Sequence, residues 1–359
     1  MKKLIFFIAM VFAFTITNAQ NKADVTQTGN DQNAIVTQTG AEQNATVTQE
    51  GRLNKATVDQ LAEASSYGPG KQTANVSQNG ISNIASVDQN QTGGGGKSEN
   101  TAFIDQIGNY NKAYQTENAP GSNSGQHMTA IQEGNENIAN QIINGGYTDN
   151  FRIEQAGNLN KATQTGTGIT TNTAKIYQDG KRNSAIQTLS GSNNGYYGGI
   201  YLNERILIEQ TGDDNIATQI FTGHGSSHGN SADIKQIGDN NTAKENGDGR
   251  NIYVAVTQTG DDNFASTTQL GSEDQVFLSQ TGDFNRTTVT QNGTGNWADI
   301  DITGNSNVGT VSSLGDSNQV DVDVVGNLNR FTVLQTGNGH KATVMQTGNS
   351  NIANIIQNL

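Results

Sequence analysis

A unit of eleven residues recurs without insertion along the last third of the chain, and this period limits the fold before any local feature is read. Glycine marks it at Gly238, Gly249, Gly260, Gly271, Gly282, Gly293, Gly304, Gly315, Gly326, Gly337 and Gly348. Asn usually stands three residues after each Gly, Ala often five, an aliphatic residue seven and Gln nine. A short fixed period of this kind belongs to repeat architectures, in which each unit buries its apolar face only against its neighbours.

Composition agrees with a core that is not oily. Hydrophobic residues make up 32% of the 359-residue chain, against about 45–50% in an average globular domain. Gly is abundant at 43 residues and Pro scarce at 2. Low hydrophobicity with a net charge of −13 would also suit a disordered chain, but disorder does not require Ala and Gln to stay in phase. The acidic balance disfavours nucleic acid and anionic membrane surfaces as partners. With no Cys there is no disulfide framework, thiol nucleophile or Cys metal site.

Residues 1–19 read as a Sec signal peptide. Lys2 and Lys3 precede an apolar stretch from Leu4 to Phe14, and cleavage fits between Ala19 and Gln20. The stretch is too short to span a membrane, and no second apolar stretch offers an anchor.

Alternation identifies the repeating element as a strand. In Asn54-Lys55-Ala56-Thr57-Val58-Asp59-Gln60 and Asn329-Arg330-Phe331-Thr332-Val333-Leu334-Gln335 the two faces differ with period two, and Gly-x-x before each Asn supplies a turn. About 28 strand units follow one another from Ala23 onward. The link from an odd strand to the next even one keeps one length, as from Gln27 to Gln32, Gln155 to Asn160 and Gln210 to Asn215. The link from even to odd swells at Leu61–Gly70, Asn90–Ser98, Thr116–Gly125, Ser190–Asn203 and Phe221–Gly229. Insertions confined to alternate links mean that two strands make one turn of a coil, with a tight edge and a permissive one. The expected fold is an all-β, two-strand-per-rung solenoid of about 14 rungs, roughly 65 Å long at the usual strand spacing. Loop insertions mark residues 20–226, and residues 227–359 run uninterrupted.

The phase of Asn and Gln matches that of Ala and Val, so the amides face inward, where stacked side chains can bond along the axis. The expected inward ladder comprises Gln27, Gln38, Gln49, Asn54, Gln60, Asn83, Gln89, Asn111, Asn137, Asn160, Asn183, Asn215, Asn263, Gln269, Asn285, Gln291, Asn329, Gln335, Asn351 and Gln357. Ala23 and Val25 in the first strand and Ala353 and Ile355 in the last are the expected assembly ends.

The spacing Gln-x-Gly-x-x-Asn-x-Ala-x-x-x-Gln, as in Gln49-Glu50-Gly51-Arg52-Leu53-Asn54-Lys55-Ala56-Thr57-Val58-Asp59-Gln60 and from Gln346 to Gln357, resembles the curlin repeat of bacterial curli subunits over nearly all of the expected mature chain. The resemblance implies a secreted subunit of extracellular functional amyloid, used in biofilm matrix and adhesion. As partners it implies further copies of the chain, a nucleating curlin-like subunit and an outer-membrane secretion channel; it implies no cofactor. Three departures stand out. The repeats are more numerous than in a typical curlin subunit, strand one starts without the usual non-repeat leader, and units such as Asn160-Lys161-Ala162-Thr163-Gln164 place Gln two positions early.

Other chemistry is thinly represented. His224 and His228 share a Gly/Ser loop with no third ligand nearby, so a mobile insertion is the simpler reading. Asp299, Asp301, Asp321 and Asp323 are expected to stack outward, as a solvated acidic stripe in preference to a Ca²⁺ site. The segment Asn193–Tyr201 is rich in Gly and Tyr and reads as a tolerated insertion. No catalytic constellation or phosphate loop is evident, and an enzyme is not expected. The alternative to a fibre subunit is a soluble solenoid, either an adhesin using the inserted loops or an ice-binding protein. The outward triplets Lys55/Thr57/Asp59, Ile84/Ser86/Asp88, Arg286/Thr288/Thr290 and Ile352/Asn354/Ile356 lack the regular Thr array that ice binding favours.

Overall fold

The computed structural model describes residues 20–358 apart from 64–69, 93–98, 121–124, 146–148, 169–172, 192–205 and 224–228. It is all-β, with 28 strands in two parallel 14-stranded sheets and no helix among the described residues. Strands are numbered in chain order, from β1 (Lys22–Asn30) and β2 (Asn33–Thr39) to β27 (Lys341–Thr347) and β28 (Ile352–Asn358). Odd strands form one sheet in sequence order and even strands the other. The chain is therefore a β-solenoid of two strands per turn, as the one-sided insertions predict. Each excepted internal segment falls in a link from an even strand to the next odd one.

Register is continuous along every column. Val25 pairs with Val47, and Val47 with Val76; Gln38 pairs with Gln60, and Gln60 with Gln89. Because a one-residue slip would turn the buried face outward, the inward pattern fixes this register.

The tight edge has a repeated conformation. In Gly51-Arg52-Leu53-Asn54 the φ values are 108° at Gly51 and 60° at Leu53. Glycine is required at the first position: a β-carbon on Gly282 would lie 2.3 Å from the carbonyl oxygen of Gly304, one turn further on. The second left-handed position is filled by Leu53, Tyr110, Leu159, Phe284 and Leu328 among others, at a steric cost of roughly 1–2 kcal/mol each.

The core is a thin layer between the sheets. Ala45, Val47, Ala56 and Val58 are each fully buried, and this small-residue pattern recurs along the axis. A core this narrow admits a phenylalanine only beside a missing side chain. A β-carbon on Gly166 would stand 2.6 Å from Phe151, one on Gly247 2.3 Å from Phe221, and one on Gly309 2.0 Å from Phe331.

Candidate functional site: core ladders and end strands

The odd-strand sheet carries one long amide ladder. Gln27, Gln49, Gln78, Gln106, Gln132, Gln155, Gln178, Gln210, Gln236, Gln258 and Gln280 are joined by Nε2-to-Oε1 hydrogen bonds of 2.7–2.9 Å. Every Nε2 donates toward the higher-numbered strand. From Gln49 onward the other hydrogen goes to a backbone carbonyl of the facing sheet, as from Gln132 to Lys112 at 3.0 Å. Both donor sites of each of these amides are thus used within the core, where an orphan would cost about 1–3 kcal/mol. The ladder stops at Gln280 because Ile302 follows in the column; Gln280 Nε2 turns instead to Thr287 Oγ1 at 2.9 Å.

The even-strand sheet holds its amides in two columns. Gln38 donates to Gln60, Gln60 to Gln89, and Gln89 to Glu117, at 3.0, 2.8 and 3.4 Å. The ladder then resumes two residues earlier in the strand: Gln115, Gln141, Gln164, Gln187, Gln219 and Glu245 are linked at 2.8–2.9 Å. The early Gln of the middle units is therefore buried and in phase, since a shift of two residues keeps a strand side chain on the same face. Near the end of the chain the first column returns, with Gln335 donating to Gln357 at 2.9 Å.

Asparagines seal the tight edge. Asn137 Oδ1 accepts the backbone N–H of Asn160 at 3.0 Å, and its Nδ2 donates to the Gly157 carbonyl at 2.9 Å. The same pair of contacts repeats at Asn54, Asn83, Asn111, Asn160, Asn183, Asn215, Asn263, Asn285 and Asn307.

Of the residues singled out in the sequence, Gln49, Asn54, Gln60, Asn83, Gln89, Asn111, Asn137, Asn160, Asn183, Asn215, Asn263, Gln269, Asn285, Gln291, Asn329 and Gln335 are buried. Gln38, Asn351 and Gln357 are half-buried and Gln27 is exposed, because each lies in an outermost turn. Gln269 does not join a ladder: neither polar atom of its amide has a hydrogen-bond partner, and Gln291 bonds only the Gln275 carbonyl, at 3.2 Å. Ala23 and Val25 are exposed, whereas Ala353 and Ile355 are half-buried against the core.

Sequence reasoning missed the odd-strand ladder beyond Gln49, the central column from Gln115 to Gln219, and Asn241 and Asn307 on the tight edge. It also missed Asn296 and Asn318 on the opposite edge, where each Oδ1 accepts the N–H of the next turn. All share the phase of the residues it named. It gave no role to Glu117 and Glu245, which are 0% and 1% exposed. Burial pushes the Glu117 carboxyl up to about 8 and that of Glu245 well above the usual carboxylate range.

On the outer face, Asp299 stacks on Asp321 and Asp301 on Asp323. Desolvation first, and then the charges of Asp301 and Asp321, raise the Asp299 carboxyl. No group of three metal-ligating side chains forms among the described residues. His224, His228 and the Tyr-rich segment 193–201 lie outside the described residues, as does the expected signal segment 1–19.

The family model for the curlin associated repeat matches residues 282–315 and 326–358. Comparison with curated proteins returns no match. Both matched segments lie in the uninterrupted part of the solenoid, and their column pattern is the one that the earlier turns repeat with longer links. Residues 282–315 and 326–358 are thus curlin associated repeats, wound two strands to a turn around ladders of Asn and Gln.

Proposed function

We propose that the chain is a secreted structural subunit that assembles end to end into extracellular curli-like amyloid fibres, serving biofilm matrix and adhesion. The observation that carries this reading is the match between the two outermost turns. Laying β1 of one copy on β27 of another, in the register used inside the chain, sets Ala23 on Ala342, Val25 on Val344 and Gln27 on Gln346. Laying β2 on β28 sets Ala34 on Ala353, Val36 on Ile355 and Gln38 on Gln357. Each of these inward columns would continue with a like residue.

Polarity supports one orientation. Gln27 donates to Gln49, and Gln38 to Gln60 and the Lys22 carbonyl, so their Oε1 atoms face the open side as acceptors. Gln357 accepts from Gln335 and gives one hydrogen to the Lys341 carbonyl at 2.9 Å, leaving its second for the open side. Donors at one end and acceptors at the other favour a head-to-tail, non-closing assembly. The apolar side chains around these ends, with Met345 78%, Ile352 71% and Ile356 64% exposed, gain burial by the same step. One pairing opposes it: Lys341 falls on Lys22, although Asp24 already bridges Lys22 at 2.6 Å and exposed charges are screened.

In this reading the partners are further copies of the chain, a nucleating curlin-like subunit and an outer-membrane secretion channel. The protein is non-catalytic and acts outside the cell. Electron microscopy of the purified chain lacking residues 1–19, with thioflavin kinetics, tests the proposal. Unbranched fibres that seed their own growth are expected; monomers that persist at high concentration would overturn it in favour of a soluble adhesin.

A further inference from the structure

Both amide ladders of the even-strand sheet that stop inside the chain stop on a glutamate. The strands concerned are β8 (Lys112–Pro120), flanked in its sheet by β6 (Ile84–Thr92) and β10 (Ile138–Asn144), and β18 (Thr242–Arg250), flanked by β16 (Ile216–Gly223) and β20 (Phe264–Ser272). Glu117 accepts from Gln89 on β6, and the next residue in its column is Ile143 on β10. Glu245 accepts from Gln219 on β16 at 2.8 Å and is followed by Thr267 on β20.

The ladder chemistry explains the choice. A ladder that donates toward higher numbers leaves one amide hydrogen at its end, which must find another acceptor, as Gln280 finds Thr287, or be absent. Glutamine at position 117 would direct that hydrogen at Ile143. A carboxyl group has nearly the same shape and, when neutral, carries one O–H in place of the amide's two N–H hydrogens, so it closes the ladder with one donor fewer.

This solution requires the carboxyl groups to be neutral. Each receives a single amide hydrogen bond, and the Oε1 atom of each has no partner among the described residues. Strands β7 (Glu99–Asn109) and β9 (His127–Asn135) face β8, and their inward residues Asn100, Ala102, Ile104, Met128, Ala130 and Gln132 carry no charge. Glu99, Asp105, His127 and Glu133 on those strands, Asp88 on β6 and Lys112 on β8 itself lie on the outward faces; β10 bears no charge. Strands β17 (Ser231–Ile237) and β19 (Tyr253–Thr259) face β18 with Ala232, Ile234, Gln236, Val254, Val256 and Gln258. Asp233 and Lys235 on β17 and Lys244, Asp248 and Arg250 on β18 are outward, and β16, β19 and β20 bear no charge. Among the described residues no base shares the core with either glutamate, and an unpaired anion there would lose its hydration without compensation.

We propose that the solenoid takes up two protons as it folds, one on Glu117 and one on Glu245, so that acid drives folding and alkali opposes it. The inference does not depend on fibre formation. In the unfolded chain both groups titrate near their ordinary value of 4.5, whereas burial holds Glu117 protonated up to about 8 and raises Glu245 well above its ordinary value. A raised carboxyl binds its proton more tightly in the folded state. Stability is therefore full below 4.5, declines as pH rises through the window up to 8, and has lost the Glu117 contribution above it. Asp88 and Asp233 add to the effect, since their outward charges repel the ionised forms. Asp274, raised by burial to about 6, adds a proton of its own in the lower part of the window.

The test is denaturant unfolding of the full mature chain between about pH 4 and 9, at concentrations where it stays monomeric, for the wild type, Glu117→Gln, Glu245→Gln and the double variant. Each proton contributes up to about tenfold in the folding constant per pH unit. The wild type should lose stability with rising pH, each single variant should lose one proton's share of that slope, and the double variant should lose both shares, keeping those of the raised aspartates Asp88, Asp274 and Asp299. Should the Gln variants fold poorly, infrared spectroscopy of the wild type in heavy water at neutral pH reads the same quantity. The carbonyl stretch of two protonated carboxylic acids is expected, and it should vanish in Glu117→Met/Glu245→Met. A wild-type pH slope equal to that of the double variant, or the absence of the protonated carboxyl band, would overturn the proposal.

Discussion

The ring of Phe331 fills the space that a side chain on Gly309 would need: its Cζ atom lies 2.0 Å from where that β-carbon would stand. The two are direct partners in neighbouring strands, Gly309 replacing the alanine otherwise common in that column. Gly309→Ala should therefore destabilise the fold by about 1–3 kcal/mol, as overpacking does. Combining it with Phe331→Ala should cost less than the sum of the two single changes, because the pair shares one volume. Denaturant midpoints of the three variants give the coupling.

Ladder membership separates amides that the repeat alone makes look equivalent. Gln155→Ala leaves a donor on Gln132 and an acceptor on Gln178 unpartnered, at about 1–3 kcal/mol for each orphan. Outward Thr268→Ala, by contrast, should stay within about 0.5 kcal/mol. Gln269 is buried with both polar atoms unpartnered, so Gln269→Leu should leave stability unchanged or raised. Thermal unfolding of the three variants checks the order, and a large loss in Gln269→Leu would place that residue in a ladder after all.

The two edges should respond oppositely to insertion. A short Gly-Ser segment between Gln210 and Asn215 breaks the turn in which Gly212 and Asp214 have φ of 117° and 59°, and it removes the Asn215 Nδ2 bond to the Gly238 carbonyl. The same segment inserted among residues 192–205 lengthens a link that is already long, at a closure cost that grows only logarithmically. Limited proteolysis should find the first variant cleaved throughout the solenoid and the second as resistant as the wild type.

At the end of the chain, Ile355→Pro, or Ala353→Asp together with Ile355→Asp, should leave most of the sheet intact yet suppress elongation. Proline removes a ladder donor from β28, and the paired aspartates would be buried without partners at a junction. Circular dichroism should report retained strand content, while wild-type seeds should fail to grow when supplied with the variant. Undiminished growth would mean that copies meet laterally.

Much of this architecture can be read before any coordinates exist, because each column obeys a local rule. Period two sets the inward face, the insertions reveal which edge is tight, and Gly-x-x-Asn names the turn. The terminations are harder to read. That Glu117 closes a ladder depends on Ile143 lying next in its column, and that Gln269 receives no amide hydrogen from the turn before depends on Gly247 in its column. Such neighbours lie one turn away in space but a variable distance in sequence, from 22 residues between Gln335 and Gln357 to 32 between Gln187 and Gln219. The early Gln164 was legible in principle, since a displacement of two preserves its face.

The column-by-column identity of the turns has a consequence for how such a chain can change length. Removing or duplicating one complete turn, 22 residues in the uninterrupted part, joins like residues across the new boundary in most columns, and the carbonyl above each turn glycine meets another glycine. Where the columns on the two sides are alike, no new surface has to be invented; a turn holding Gly309 is an exception, because Phe331 occupies the space beside it. A gene encoding the chain can therefore gain or shed turns by recombination between like segments. Overall length, unlike the contents of any one column, is then free to drift.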